Sequence, residues 1–430
     1  MDILIINQCW FVNQLRDAGH TVTTCALTGD PDILLDGPVI HIETIIKEHL
    51  GGRRPERILV LDNSAPLIVT GLEDARIPAV FYAVDTHHHL ELHKYLYNVF
   101  DKTFIAQRDY LDDFIKDGMH PEWMPLWASR YVEASNDKKY GAVFVGNLDK
   151  KLNPDRVEFF DKLSKRTEIY CTIGKYWEIF PHSEIVVNQT VKGDLNFRVF
   201  EAMMCGAMLL TEMSANGLTD LFTPGKHLVT YTKHDDREAA EKIEYYLSNI
   251  SLCREIAHAG REEILARHLE DHRAEVIEQA LREVEHTESP LVHFSLAANY
   301  MMLFNRLVGI DTAYARRALI HTMKSFERGV GRGEQMTTEL AYHAVLAALK
   351  YDQWFGSTAG GELLHKMSEA YSEFPLIALA EIRRLLNRGE IENARRLARN
   401  LSDQDVKLTF SNAEKVISEL LDIGAQSERI

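Results

Sequence analysis

The chain has 430 residues, 46% hydrophobic and 26% charged, which is the balance of an ordinary soluble protein with room for two or three domains. A formal net charge of −16 excludes the broad basic face that nucleic-acid binding needs. The cysteines, at 9, 25, 171, 205 and 253, are odd in number and have no C-x-x-C spacing, which disfavours a disulfide framework or a zinc site and fits a reducing cytoplasm. The opening MDILIINQCW lacks the basic start of a signal peptide, and no apolar run approaches the roughly 18 residues needed to cross a bilayer.

In chain order, Ile3–Ile6 reads as a buried strand, Phe11–Ala18 as a short helix stopped by Gly19, and His20–Leu27 as the second strand. Between the first two stand Asn7, Gln8, Cys9 and Trp10, which either line a cleft or close a tight turn. Arg57–Asp62 as strand, Ala65–Asp74 as helix and Pro78–Val84 as strand continue a βα alternation that predicts a doubly wound parallel sheet. The strand PAVFYAV ends in Asp85, Thr86, His87, His88 and His89. A carboxylate and imidazoles at the C-terminal end of a parallel strand lie on the ligand-binding rim, where Asp85 or His87 could take or give a proton. The competing readings are a hydrogen-bonded turn and a metal site. The latter is disfavoured, although His89 and His93 stand four apart, because no H-E-x-x-H pattern is present. Lys102–Gln107 reads as a further strand, and Glu133–Lys139 as a polar linker ending a first domain, 1–139.

Tyr140–Val145 starts a second sheet. Gly146 and Asn147, with Lys150 and Lys151 nearby, form its first loop, where a glycine lets backbone approach a phosphate; the lysines read equally as solvated surface. Lys175, in IGKYW, follows another strand and carries the same two readings. Ile185–Asn188 is a β-branched run; Asp194 or Asn196 can cap a helix reaching Cys205, where Gly206 ends it, and Ala207–Glu212 is the next buried strand. This βαβ order puts the loop and the helix N-terminus at the rim of the sheet. Arg198 and Glu201 share one helix face, so the first can meet an anion at the helix N-terminus and the second a sugar hydroxyl pair, unless they form only an exposed i,i+3 ion pair.

The run NFRVFEAMMCGAMLLTE followed by GLTDLFTPGKHLVTY resembles the nucleotide-sugar half of GT-B glycosyltransferases, in particular the group-1 type related to the spore-maturation CgeB proteins. The resemblance extends back through the VVN strand, EIYCTIGKYW and YGAVFVGNLDKK, and forward to IAHAGREEILARHLEDHR. It implies a fold of two Rossmann-like domains, the second spanning 140–288, with a nucleoside-diphosphate sugar bound between them. It further implies that Glu201 holds the donor ribose and Arg198 the diphosphate. Lys175, Gly146, Asn147, Asn188, Asp194 and Asn196, read from their places in the loops and at the helix start, complete the candidate donor-binding set. No metal or other cofactor is then required. Many relatives carry a second glutamate eight positions before the FEAM glutamate; Gly193 stands there, with Asp194 next to it. The N-terminal half would receive the acceptor, a protein or glycan. Met1–Tyr140 carries 13 Lys and Arg against 21 Asp and Glu, a balance of −8 that favours a soluble acceptor over an anionic membrane.

From Asp235 to about Glu285 the pattern is helical, and the resemblance implies that the last helix returns to the first domain. Pro290 marks a boundary, after which Ser295–Leu421 reads as all helix, a third region over 289–430. FNRLVGIDTAYARRAL (304–319) resembles LNRGEIENARRLA (386–398), a spacing that fits a TPR-like array or a plain supporting bundle. The sequence therefore points to a cytoplasmic glycosyltransferase with a helical extension. The alternative is a non-catalytic GT-B relic that binds a nucleotide or a partner.

Overall fold

The computed structural model describes residues 1–402. Nine strands come first: β1 (Asp2–Ile6), β2 (Thr21–Ala26), β3 (Ile33–Leu34), β4 (Ile40–His41), β5 (Arg57–Leu61), β6 (Val69–Thr70), β7 (Ala79–Ala83), β8 (Lys102–Ile105) and β9 (Glu122–Trp123). Seven of them form one parallel sheet in the order β3-β2-β1-β5-β7-β8-β9, while β4 and β6 pair separately. The unbroken apolar runs follow from burial on both faces. Ile3, Ile5, Leu59 and Leu61 face one core, whereas Leu4, Ile6, Ile58 and Val60 face another.

The second sheet contains β10 (Tyr140–Val145), β11 (Tyr170–Thr172), β12 (Ser183–Asn188), β13 (Met208–Glu212) and β14 (Val229–Tyr231), all parallel, in the order β11-β10-β12-β13-β14. After β10 the chain goes first to one side and then to the other, so the crevice between β10 and β12 is a topological switch point. Between β12 and β13 runs the helix Phe197–Met204, with Val199, Phe200, Ala202, Met203 and Met204 buried. Gly206 ends it at φ +71; a Cβ there would stand 2.7 Å from Ala134 Cβ, in the stretch that links the two sheets.

One expected element does not form. In place of a helix over Ala65–Asp74, residues 65–68 are irregular, β6 follows, and only Leu72–Ala75 is helical. Pro66 has no N–H to give, and β-branched Val69 and Thr70 pair with Ile40 and His41.

Helices Asp236–Ser248, Ile250–Arg267 and Glu270–Glu283 follow the second sheet. The last returns to the first sheet, as expected. Glu270 Oε1 accepts from Phe11 N at 2.8 Å, Arg57 Nε donates to Leu281 O at 2.6 Å, and His20 Nε2 lies 2.9 Å from Glu278 Oε1. Beyond Pro290, the described residues form three antiparallel helical hairpins: Val292–Leu307 with Thr312–Arg332, Thr338–Phe355 with Ala359–Ala370, and Pro375–Asn387 with Ile391–Ser402. The two similar sequence segments both fall at the turn of a hairpin, the first and the third. The part of the expected helical region from 403 to 421 lies outside the described residues. Val292, Leu296 and Tyr300 join the core of the first sheet, and Arg328 pairs with Glu73 and Asp74, so the first hairpin is docked on that unit. Among the described residues no helix is long and apolar enough to cross a membrane.

Candidate functional site

Arg198 stands at the switch point of the second sheet. Its Nε donates to Val145 O (3.1 Å), the last residue of β10, and its Nη1 to Asn188 Oδ1 (2.8 Å), the last residue of β12. Nη2 has no partner among the described residues. It lies over Gly146, where a Cβ would come within 2.5 Å of it, so the glycine is what admits the guanidinium. Phe144 lies 4.6 Å below. Burial pulls the guanidinium pKa down to about 10, which leaves it cationic at neutral pH. Asn188 is fully buried, gives Nδ2 to Thr211 Oγ1 (3.0 Å), and takes Tyr231 OH on its carbonyl (2.8 Å). Its placement is that of a bracket for Arg198.

Asn196 occupies the N-cap of the helix Phe197–Met204, but its side chain makes no capping bond, and its buried Oδ1 has no partner among the described residues. The N–H groups of Phe197 and Arg198 are thereby left open beside the guanidinium, an anion-accepting arrangement. Asp194 is not the cap. Its Oδ1 accepts from Val191 N (2.5 Å) and closes the preceding turn. Gly193, at φ +80, has open space where a Cβ would stand, and its left-handed backbone would strain a glutamate.

Arg198 and Glu201 do not pair with each other. Glu201 Oε1 accepts from Ser129 Oγ (3.0 Å), in the inter-sheet stretch, and that hydroxyl lies 3.1 Å from Tyr176 OH. Burial raises the Glu201 pKa, while Ser129 and Arg198 oppose the rise. Lys175, one residue from Tyr176, is exposed and pairs with Glu178 (3.3 Å), outside this cluster. Asn147 is exposed, and its Oδ1 closes a turn by accepting from Asp149 N (2.7 Å).

Asp194 provides a test in pH. Burial pushes its carboxyl up to about 6, against the Val191 N–H and Arg156. A folded-state pKa above the unfolded one means that ionisation opposes folding: the penalty is absent below the unfolded value of 3.8, grows as pH rises toward 6, and is complete above it. Asp194→Asn keeps an acceptor for Val191 N and should raise the melting temperature at pH 7.5, by at most about 3 kcal/mol of stability. The gain should vanish as pH falls from 6 toward 4. A gain independent of pH would show that the charge is not its source.

Across the cleft, the first sheet presents a carboxylate pair. Asp62, at the end of β5, accepts from Ser64 N (2.7 Å), Val84 N (2.9 Å) and Asp85 N (2.9 Å), and lies 3.2 Å from His93 Nε2. Burial alone would raise its pKa, yet His93 and the N–H donors hold it well below the usual carboxylate range. His93 Nδ1 meets Thr86 Oγ1 at 3.1 Å, so His93 is committed to the Asp62 turn. Asp85 is half-exposed at the N-cap of the helix Thr86–Tyr97, and its carboxylate makes no capping bond. Asp85 Oδ2 instead accepts from Ser64 Oγ, and Oδ1 has no partner among the described residues. His87 is buried, with Nδ1 unpartnered among the described residues; burial, followed by His88 and Lys192, pushes its imidazole down to about 3.

The two units meet at this rim. Leu195 N donates to Gln107 Oε1 (2.9 Å), Asp109 N donates to Asn216 Oδ1 (3.1 Å), and Arg108 pairs with Asp220. Trp10 packs on Trp127 and on Phe197, the first residue of the rim helix, with ring centroids 5.3 and 5.9 Å apart. Asn7, in the left-handed region, donates to Leu61 O at 3.0 Å. The loop after β1 therefore closes a turn and also lines the cleft. A cavity of about 340 Å³ opens between His88 on one side and Arg156, Gln189, Lys192, Lys233 and His234 on the other. Sequence reading missed Ser129, Tyr176, Asp62, Ser64 and Gln107; the only signal for them was that an aspartate follows both β5 and β7 within two residues.

Two facing Rossmann-like units, a last helix that returns to the first, and a site at the second switch point define a GT-B fold. Sucrose-phosphate synthase from Thermosynechococcus elongatus shares it, with a TM-score of 0.50, 13% identity, and coverage of 65% of this chain and 98% of that one. Similar too is Anabaena Alr3699/HepE in complex with UDP and glucose (TM-score 0.49, 12% identity, 66% of this chain, 100% of that one). A glycosyltransferase from Rickettsia africae gives a TM-score of 0.48 at 11% identity, covering 65% and 97%. The second unit carries the sequence likeness: residues 140–279 match the family model described as glycosyl transferase-like. Comparison with curated proteins gave no match.

Proposed function

We propose that the protein transfers a sugar from a nucleoside-diphosphate sugar to an acceptor hydroxyl or amide. The observation that carries this reading is the Arg198 guanidinium, fixed across the ends of β10 and β12 with Nη2 unpartnered beside the open helix N-terminus. In the reaction, the acceptor heteroatom forms a bond to the anomeric carbon, the bond from that carbon to the diphosphate breaks, and the diphosphate leaves with the electron pair. Arg198 and the N–H groups of Phe197 and Arg198 meet the growing negative charge, a preorganised electrostatic contribution. No metal or other cofactor is assigned to this step. Asp85, with Oδ1 unpartnered, takes the acceptor proton. It is preferred over His87, whose imidazole is enclosed and a weak base at about 3. Glu201 holds the ribose. The acidic first unit fits a soluble protein or glycan acceptor, and the helical hairpins a TPR-like surface for it.

Glu201→Ala should weaken nucleoside-diphosphate binding by about 1–3 kcal/mol with the melting temperature little changed, because Ser129 is exposed and can turn to water. Calorimetric titration reads this directly; parental affinity would remove the ribose role. The relic reading has one observation on its side, Gly193 in place of a sugar-binding glutamate. Nucleotide binding without any turnover would favour it.

A further inference from the structure

The loop between β5 and β6 has no regular structure, yet it carries the hydroxyl that meets Asp85. Ser64 sits in the left-handed region at φ +57, where a non-glycine residue is rarely placed without a reason. Its N–H is held by Asp62 Oδ1 at 2.7 Å. Its carbonyl is held from outside the sheet, by Arg306 Nη1 at 2.8 Å. Three residues on, Asn299 grips the loop in both directions: Leu67 N donates to Asn299 Oδ1 (2.8 Å), and Asn299 Nδ2 donates to Leu67 O (3.2 Å). Asn299 is fully buried, and both it and Arg306 belong to the helix Val292–Leu307.

We propose that the first helical hairpin is a positioning element of the catalytic centre. Through Asn299 and Arg306 it holds the loop 63–67, and the loop's Ser64 orients Asp85. This rests on Asp85 being the acceptor-side base. A capping aspartate normally turns its carboxylate to the N–H groups of its own helix; Asp85 gives that up, and its Oδ2 accepts from Ser64 instead. With Oδ2 fixed, the second oxygen has one direction in which to face an acceptor. The other charged or titratable groups facing Asp85 are His88 and His89 on its own helix and Asp62 behind it, with Lys192 reaching His87 and His88 from the second unit. A substitution at Ser64 leaves all of them in place.

Ser64→Gly separates orientation from folding, since glycine accepts φ +57 and keeps the backbone bonds. With a panel of UDP-, GDP- and dTDP-sugars and water as acceptor, release of nucleoside diphosphate is the readout. The expected result is a melting temperature close to that of the parent and an unchanged KM for the donor. The kcat should fall about tenfold. Arg306→Ala, on an exposed side chain, should act in the same direction by about threefold. Asp85→Asn keeps the two claims apart. If Asp85→Asn retains turnover, the role of Asp85 fails and this inference with it. If Asp85→Asn abolishes turnover while Ser64→Gly keeps the parental kcat, the positioning role alone is overturned.

Discussion

Replacement of Asp85 by asparagine is expected to lower sugar transfer by a factor of about 10²–10⁴, the range for loss of a positioned general base. Donor affinity should stay unchanged. The two side chains have nearly the same shape, and the amide oxygen of the replacement can still accept from Ser64, so the local fold is kept. Only the capacity to take a proton is lost. Asp85 belongs to the first sheet, and the donor residues Arg198 and Glu201 to the second, so donor binding and turnover should separate. Equal loss of both in a folded variant would move Asp85 into the donor pocket. Unchanged turnover would reduce it to a turn residue.

Arg198→Met is expected to act in two measurements at once. It leaves Val145 O and Asn188 Oδ1 without their donor, which should lower stability by about 1–3 kcal/mol. It also removes the cation facing the diphosphate, which should weaken nucleoside-diphosphate binding at least as much, roughly thirtyfold, because charge-assisted bonds to phosphate are among the stronger ones. Lysine should restore little of either, since a point charge cannot reach β10 and β12 together in the planar fork of arginine. Lost stability with parental nucleotide affinity would make Arg198 a bracket between strands and nothing more.

The long strands and the rim helix were legible because each is an apolar run closed by a polar or glycine stop. Val199, Phe200 and Met203 fall on one face at helical spacing, and Gly206 ends the helix where expected. The two-residue strands β3, β4, β6 and β9 were not legible, since two residues are too few to show a period and each exists only by pairing with another strand. The failed helix over 65–74 has the same origin: Leu67 takes its hydrogen bonds from Asn299, 232 residues on. At the site, spacing placed Arg198 and Glu201 on one face, which left an ion pair open as a reading. What decided against it was a backbone carbonyl of β10 and a serine of the inter-sheet stretch, and neither leaves a mark in local sequence. Asp85 was singled out from its place at a strand end. Its orientation by Ser64 depends on a left-handed serine that no pattern announces.

The most direct test of the central claim is a thermal-shift screen of the full chain with nucleoside diphosphates and their sugars, with Arg198→Met alongside. A ligand that binds only the folded state must raise the melting temperature. The account predicts a clear rise for the parent with at least one nucleoside diphosphate and a much smaller one for Arg198→Met. No rise with any of them, or an equal rise in both proteins, would contradict a donor site at the β10/β12 switch point.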